Sequence, residues 1–252
     1  MRFKQLGAAC LLLFGGFTSL VSAQSSAVAT PATGTSTSTP PTTTYITPSV
    51  LFKASPLPNW PQNAVVAAAE LEAVLAAQAA RTPADVQEAQ LDAARGPLAW
   101  AQDTAGLGPS FTEQLYPATT ALLLALHEDM RAINRAANLE RGYRARPAIA
   151  DARVKSIFAD NLNNSASYPS ARSASSRVWA LLLGDIFTPR RAALLAHADR
   201  TAQLRLVGGA HFQSDIDAGK GVGDAYYTQV LTNPSFQQAL ALARQEAMNA
   251  KR

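Results

Sequence analysis

Residues 118–140 read ATTALLLALHEDMRAINRAANLE. Within them Leu122, Leu123, Leu126, Met130 and Ile133 recur at three- and four-residue steps. That spacing lines one face of an α-helix with apolar side chains, so the stretch predicts a long core helix. The same signal repeats on both sides. Val178, Leu181, Leu182 and Ile186 follow a similar pattern within Arg177–Phe187.

Helix starts are marked by capping chemistry. Asn63 precedes an Ala-rich run to about Arg81, and Thr82-Pro83-Ala84-Asp85 offers a cap, a proline at the first helical position and an acid in the first turn. Ser110 and Glu113 have capping-box spacing. Thr188-Pro189 opens a helix to about Val207, and Asp215–Leu231 and Pro234–Lys251 supply two more. Residues 46–62 hold four prolines with Leu51 and Trp60 as apolar anchors, and predict an extended path over the surface. No internal repeat is present.

Composition agrees with a helical domain. The chain has 252 residues, of which 48% are hydrophobic and 16% charged, which excludes a disordered polar chain. No long stretch alternates β-branched and polar residues, so an all-β fold is disfavoured. The expected fold class is all-α: a single helical domain over 46–252, preceded by a signal peptide and a flexible lead.

Residues 1–23 have a charged start at Arg2 and Lys4, then an apolar stretch, then Val21-Ser22-Ala23. This is the layout of a secretory signal peptide cleaved after Ala23. Residues 24–45 are dominated by Ser, Thr, Pro and Ala and predict a disordered lead. The only cysteine is Cys10, so a processed chain carries no disulfide. The formal charge of +4 includes Arg2 and Lys4, and no nucleic-acid partner is inferred from it. Beyond the signal-peptide segment the best apolar run, Ala121–Leu126, is too short to span a bilayer. The predicted location is the periplasm or the medium.

Chemistry concentrates in three patches. His211 follows Gly208-Gly209-Ala210 and precedes Asp215 by four residues. At a helix start those two share a face, so the carboxylate orients one imidazole nitrogen and leaves the other for an electrophile. Arg205 stands six residues upstream. Arg144-Ala145-Arg146-Pro147 places two guanidinium groups before a helix-breaking proline. Tyr168-Pro169-Ser170-Ala171-Arg172 reads as a turn feeding a helix N-terminus, where backbone N–H groups and the Ser170 hydroxyl face an oxyanion. Arginines, a helix N-terminus and a nucleophile are the parts that hold and attack a phosphoryl group. His127 and His197 lie within helical segments beside acids and arginines and read as surface residues. Three histidines without a cysteine in the processed chain give no zinc-type spacing, so no metal or other cofactor is expected.

These patches resemble the three signature motifs of the PAP2 phosphatase superfamily, and specifically its class A bacterial non-specific acid phosphatases. The family pattern is K-x6-R-P, then P-S-G-H, then S-R-x5-H-x3-D. The chain has Arg146-Pro147, Pro169-Ser170-Ala171-Arg172 and Leu204-Arg205 with His211 and Asp215 in register. The stretches SYPSARSAS, GGAHFQSDIDAG and TNPSFQQAL extend the resemblance, which covers about 46–250. Three motifs are degenerate: Leu139 stands at the lysine position, Ala171 and Arg172 at the glycine and histidine, and Leu204 at the serine.

The resemblance implies that His211 forms a phosphohistidine, oriented by Asp215, while Arg146, Ser170 and Arg205 bind phosphate oxygens. The missing histidine is the family's general acid. Arg172 keeps its proton at any relevant pH and does not replace it; it instead offers charge to the phosphate, with Ala171 beside it. Two readings follow. One is an exported acid phosphatase that hydrolyses phosphate monoesters at reduced rate. The other is a catalytically inactive pseudophosphatase that binds phosphate or a phosphoester. In either case the partners are small phosphorylated molecules or inorganic phosphate, with no stable membrane insertion, and a homo-oligomer is compatible with the sequence.

Overall fold

The computed structural model describes residues 44–158 and 165–250. The signal-peptide segment 1–23, Cys10 and nearly all of the 24–45 lead lie outside the described residues. Ten α-helices make up the described chain: α1 (Pro48–Ala54), α2 (Ala64–Ala80), α3 (Pro83–Ala94), α4 (Pro97–Ala101), α5 (Pro117–Arg141), α6 (Pro147–Ala150), α7 (Ala171–Ile186), α8 (Arg191–Val207), α9 (Gln213–Val230) and α10 (Pro234–Asn249). A short 3-10 turn, Thr188–Arg190, leads into α8. There is no strand among the described residues, and no described helix is long and apolar enough to cross a membrane.

Local sequence explains the boundaries. Proline opens α1, α3, α4, α5, α6 and α10, where its missing N–H costs nothing and its fixed φ suits the first turn. Asn63 caps α2 through its side-chain oxygen. Thr82 and Asp85 close a reciprocal capping box on α3.

Helix α7 is the central element and lies against α5, α8 and α9. It is buried from Ser173 to Ser176 and again from Val178 to Gly184. A helix covered on all faces is a core helix. Its Trp179, Leu182 and Val178 share one hydrophobic core with Leu123, Leu126, Met130 and Ile133 of α5, the residues whose periodicity predicted that helix. Each such aliphatic side chain contributes roughly 1.5–3 kcal/mol on burial.

The first half of α7 is built of Ser and Ala, and α9 faces it with Gly219 and Gly223, one turn apart. A Cβ at Gly219 would stand 2.3 Å from the Ser170 carbonyl oxygen, and one at Gly223 would stand 2.8 Å from that of Ala174. Only glycine admits this approach, which brings the start of α9 against the start of α7.

The buried Asp129 on α5 ties down the entering chain. It accepts hydrogen bonds from the backbone N–H groups of Thr44, Tyr45 and Ile46, and from the Tyr226 hydroxyl at 2.7 Å.

Three expectations need correction. Residues 46–62 are not wholly extended, because Thr47-Pro48 starts α1 and Leu51 inserts into the core. The Ser110–Glu113 spacing opens no helix; α5 begins only at Pro117. His197 is not a surface residue. It is 8% exposed and stacks on Trp100 at 4.3 Å between ring centroids. His127 is half-buried beside Trp179.

Candidate functional site

Helix α8 ends at Gly208, and Gly209 turns the chain with φ of 72°, a conformation that favours glycine. The turn delivers His211 just before α9. Asp215 lies in the first turn of α9, where its Oδ2 accepts the Phe212 N–H at 2.8 Å. The close packing of α9 on α7 adds a backbone link: Ser170 N–H donates to the Asp215 carbonyl at 2.8 Å.

His211 is 5% exposed. Its Nδ1 lies 2.8 Å from the Ser167 carbonyl oxygen, which fixes the proton on Nδ1 because a carbonyl only accepts. Nε2 therefore carries the lone pair and receives a hydrogen bond from Arg146 Nη1 at 3.0 Å. Asp215 Oδ2 is 3.6 Å from Nδ1, too far for a hydrogen bond. Burial pushes the His211 pKa down to about 4; Asp215 opposes this, while Arg146 and Arg205 reinforce it. The imidazole is neutral at ordinary pH.

Asp215 is braced from several directions. Ser167 Oγ donates to Oδ2 at 2.6 Å, and Arg144 Nη1 donates to Oδ1 at 2.5 Å. Burial alone would raise the Asp215 pKa, but His211, Arg144 and Ser167 together hold it below the usual carboxylate value. Arg144 also pairs with Glu70 of α2 at 2.8 Å and lies over the Phe212 ring. Glu70 in turn accepts the Ser214 N–H at 2.8 Å. Of the two guanidinium groups before Pro147, Arg144 thus serves the carboxylates and Arg146 serves the histidine.

Arg146 also donates to the Ser165, Ala166 and Ala210 carbonyls and to the Ser165 hydroxyl. Burial lowers its pKa, opposed by Asp215. Arg205 of α8 lies over the Phe158 ring, bonds the Ala89 carbonyl at 3.3 Å and stands 3.6 Å from Asp92. Its buried Nε has no partner among the described residues. Burial lowers its pKa to about 10, with Asp92 opposing and Arg172 and Arg146 adding to the fall.

The start of α7 supplies the remaining predicted residues. Ser170 caps the helix by accepting from Ser173 N–H, and Ala171 is its first residue. Arg172 turns toward α3. Its guanidinium donates to both Asp92 carboxylate oxygens at 3.0 and 3.1 Å and to the Arg95 carbonyl at 2.8 Å. Asp92 therefore sits between the arginines of the second and third motifs.

Sequence reasoning missed Ser167, Glu70 and Asp92. Ser167 is one of several serines in its loop. Glu70 and Asp92 lie on helices more than a hundred residues from His211, and no spacing rule links them to it.

No family model matches the chain. A non-specific acid phosphatase of Salmonella typhi is 38% identical over 87 residues, covering 34% of this chain and 35% of that protein. The Salmonella typhimurium counterpart is 37% identical over the same length. A non-specific acid phosphatase of Providencia stuartii is 30% identical over 149 residues, 58% of this chain and 59% of that one. The matched stretches thus span about a third to three-fifths of those relatives. A solved transmembrane PAP2-type phosphatidylglycerolphosphate phosphatase from Bacillus subtilis superposes with a TM-score of 0.49 at 16% identity, over 73% of this chain and 90% of that one. That last likeness is too loose to carry an argument. Over part of its length, and with the three patches in the expected order, the chain is thus similar in sequence to bacterial non-specific acid phosphatases.

Proposed function

We propose that the chain is an exported phosphatase that hydrolyses small phosphate monoesters through a phosphohistidine on His211. The observation that carries this reading is the state of His211: neutral, with its proton held on Nδ1 by the Ser167 carbonyl and its Nε2 lone pair beside Arg146. In the first step Nε2 attacks phosphorus, the bond from phosphorus to the ester oxygen breaks, and its electron pair leaves with that oxygen. Water then attacks the phosphohistidine, the phosphorus–nitrogen bond breaks, and inorganic phosphate departs. Positive charge that develops on the imidazole is stabilised by Asp215.

Arg146 turns from Nε2 to a phosphate oxygen when substrate enters. The unpartnered Nε of Arg205 supports a second anion contact, since a buried donor without an acceptor is costly. The first turn of α7, with Ser170 and Ala171, offers backbone N–H groups to the same charge. Arg172 adds positive potential from its seat on Asp92 and no proton.

That seat favours a second reading, a pseudophosphatase that binds phosphate without turnover. A guanidinium engaged with Asp92 and the Arg95 carbonyl leaves the leaving oxygen without a general acid. A phosphate-release assay with nitrophenyl phosphate and an alkyl phosphate, on wild type and His211→Ala, separates the readings. Turnover by wild type that His211→Ala abolishes supports the enzyme. Phosphate binding without turnover supports the pseudophosphatase.

A further inference from the structure

The segment 55–62, which joins α1 to α2, grips the residue that follows Ser167. Its Leu57 is buried in the core, and two of its carbonyls are taken by side chains. Arg141 donates to the Leu57 carbonyl and, at 3.2 Å, to Asn59 Oδ1. The Tyr168 hydroxyl donates to the Pro58 carbonyl at 2.7 Å. Trp60 packs its ring against that of Tyr168, with centroids 5.7 Å apart and planes tilted by 57°. Tyr168, only 1% exposed, is thus held at its tip and at its ring.

Tyr168 bears on the site through the peptide bond before it. The Ser167 carbonyl and the Tyr168 nitrogen and Cα lie in one rigid plane. That carbonyl is the acceptor, at 2.8 Å, that keeps the proton on His211 Nδ1. The other oxygens near Nδ1 are more distant, Ser167 Oγ at 3.5 Å and Asp215 Oδ2 at 3.6 Å. Ser167 is itself anchored by its N–H on the Arg144 carbonyl at 2.9 Å and by its Oγ on Asp215. Those bonds leave the carbonyl free to turn about the Cα–C bond. The next backbone anchor downstream is the Ser170 N–H, three residues on. The fixed place of Tyr168 is what stops the turn.

We infer that Tyr168 is a positioning residue for His211: Pro58 and Trp60 hold it so that the Ser167 carbonyl stays on Nδ1 and Nε2 stays aimed at the phosphorus. The aim of Nε2 rests on the proposed role of His211 as nucleophile; the hold on Nδ1 does not. Tyr168 acts through Ser167, so losing its hydroxyl changes the rate of the chemical step and not the affinity for substrate.

Proton NMR of the full chain reads the hold on Nδ1. Wild type should show a downfield, slowly exchanging Nδ1 proton that His211→Gln removes. In Tyr168→Phe, which deletes the hydroxyl and keeps the ring, that proton should exchange at least about tenfold faster. Tyr226→Phe is the control for lost stability, because it deletes a hydroxyl bond of the same 2.7 Å length, to Asp129. Its Nδ1 proton should exchange as in wild type. With nitrophenyl phosphate, Tyr168→Phe should lower kcat about ten- to hundredfold at unchanged KM, and Tyr226→Phe should alter neither. An unprotected Nδ1 proton in wild type, an unchanged exchange rate in Tyr168→Phe, or an equal acceleration in Tyr226→Phe would overturn the inference. So would an unchanged kcat in Tyr168→Phe when wild type turns over. No turnover by any chain, with the exchange difference intact, would refute the nucleophile and leave the hold on Nδ1 standing.

Discussion

The Arg144 guanidinium and the Asp215 carboxylate meet at 2.5 Å where the two side chains are only 9% and 0% exposed. Arg144 reaches Glu70 with its other nitrogen, so one cation neutralises two buried acids. Arg144→Ala strands both carboxylates and should cost about 3–5 kcal/mol of stability. Arg144→Lys should recover only part, because an ammonium does not span two carboxylates as a planar fork does. Urea unfolding of both variants measures this; a loss under about 1 kcal/mol for Arg144→Ala would contradict the bracing role.

Gly219→Ala probes how α9 holds α7. The new methyl group would meet the Ser170 carbonyl oxygen at 2.3 Å, and a backbone atom has little room to retreat. We expect destabilisation of about 1–3 kcal/mol and weaker phosphate binding, since Ser170 and Asp215 lie on the two helices forced apart. Gly221→Ala, with open space around its Cβ position, is the control and should be nearly neutral.

The pH response follows from His211. Its folded pKa, near 4, lies below the ordinary 6.5, mainly through burial. The unfolded chain therefore binds the extra proton first, and stability falls as pH drops from about 6.5 toward 4. Asp215, also depressed, adds to the loss at lower pH, as native pairing gives way to protonation. His211→Gln should flatten the stability profile between pH 6.5 and 4. Folded His211 stays neutral across that window, so on the proposed mechanism turnover should not fall on the acid side until about pH 4. A limb near pH 6.5 that follows ionisation of free His211 would show that the imidazole is not held as described.

Arg172 predicts the response to leaving groups. With no proton donor at that position, the rate should fall steeply as the leaving-group pKa rises, and alkyl esters should lag nitrophenyl phosphate by more than in an enzyme with a general acid, whose contribution is typically 10²–10⁴-fold. A series of phosphate esters at fixed pH measures the slope. Equal kcat/KM for nitrophenyl and alkyl phosphates, with chemistry limiting, would mean that another group supplies the proton.

Export predicts a processed N-terminus at Gln24. N-terminal sequencing of native protein from the periplasm or medium tests it, and an intact Met1 would refute it.

The helical character of the chain was legible because apolar periodicity and proline-marked starts are local signals. Asn63, Thr82-Pro83 and Pro234 each mark an observed boundary to within a residue. The turn at Tyr168–Arg172 likewise marked the start of α7. The burial of its Ser173-Ala174-Ser175-Ser176 run was not legible, because small polar residues carry no apolar signal and only the glycines that α9 presents to them show it. His197 was misread for a similar reason, since nothing in its neighbours announces the Trp100 ring 97 residues earlier. At the site, residues close in sequence were found by spacing and residues distant in sequence were not. His211 and Asp215 fall in the first group; Glu70, Asp92 and the Ser167 carbonyl fall in the second.

Asp92 ties what position 172 can hold to a second site. It holds Arg172, accepts from Thr201 at 3.0 Å and stands close to Arg205. Exchanging Arg172 for histidine alone strips a buried acid of its main counterion, whereas neutralising Asp92 first leaves Arg172 with the Arg95 and Asp92 carbonyls and the Trp179 ring but no buried anion. Either change alone removes one member of a buried ion pair, so the residue at position 172 is tied to the residue at position 92, 80 positions away on another helix.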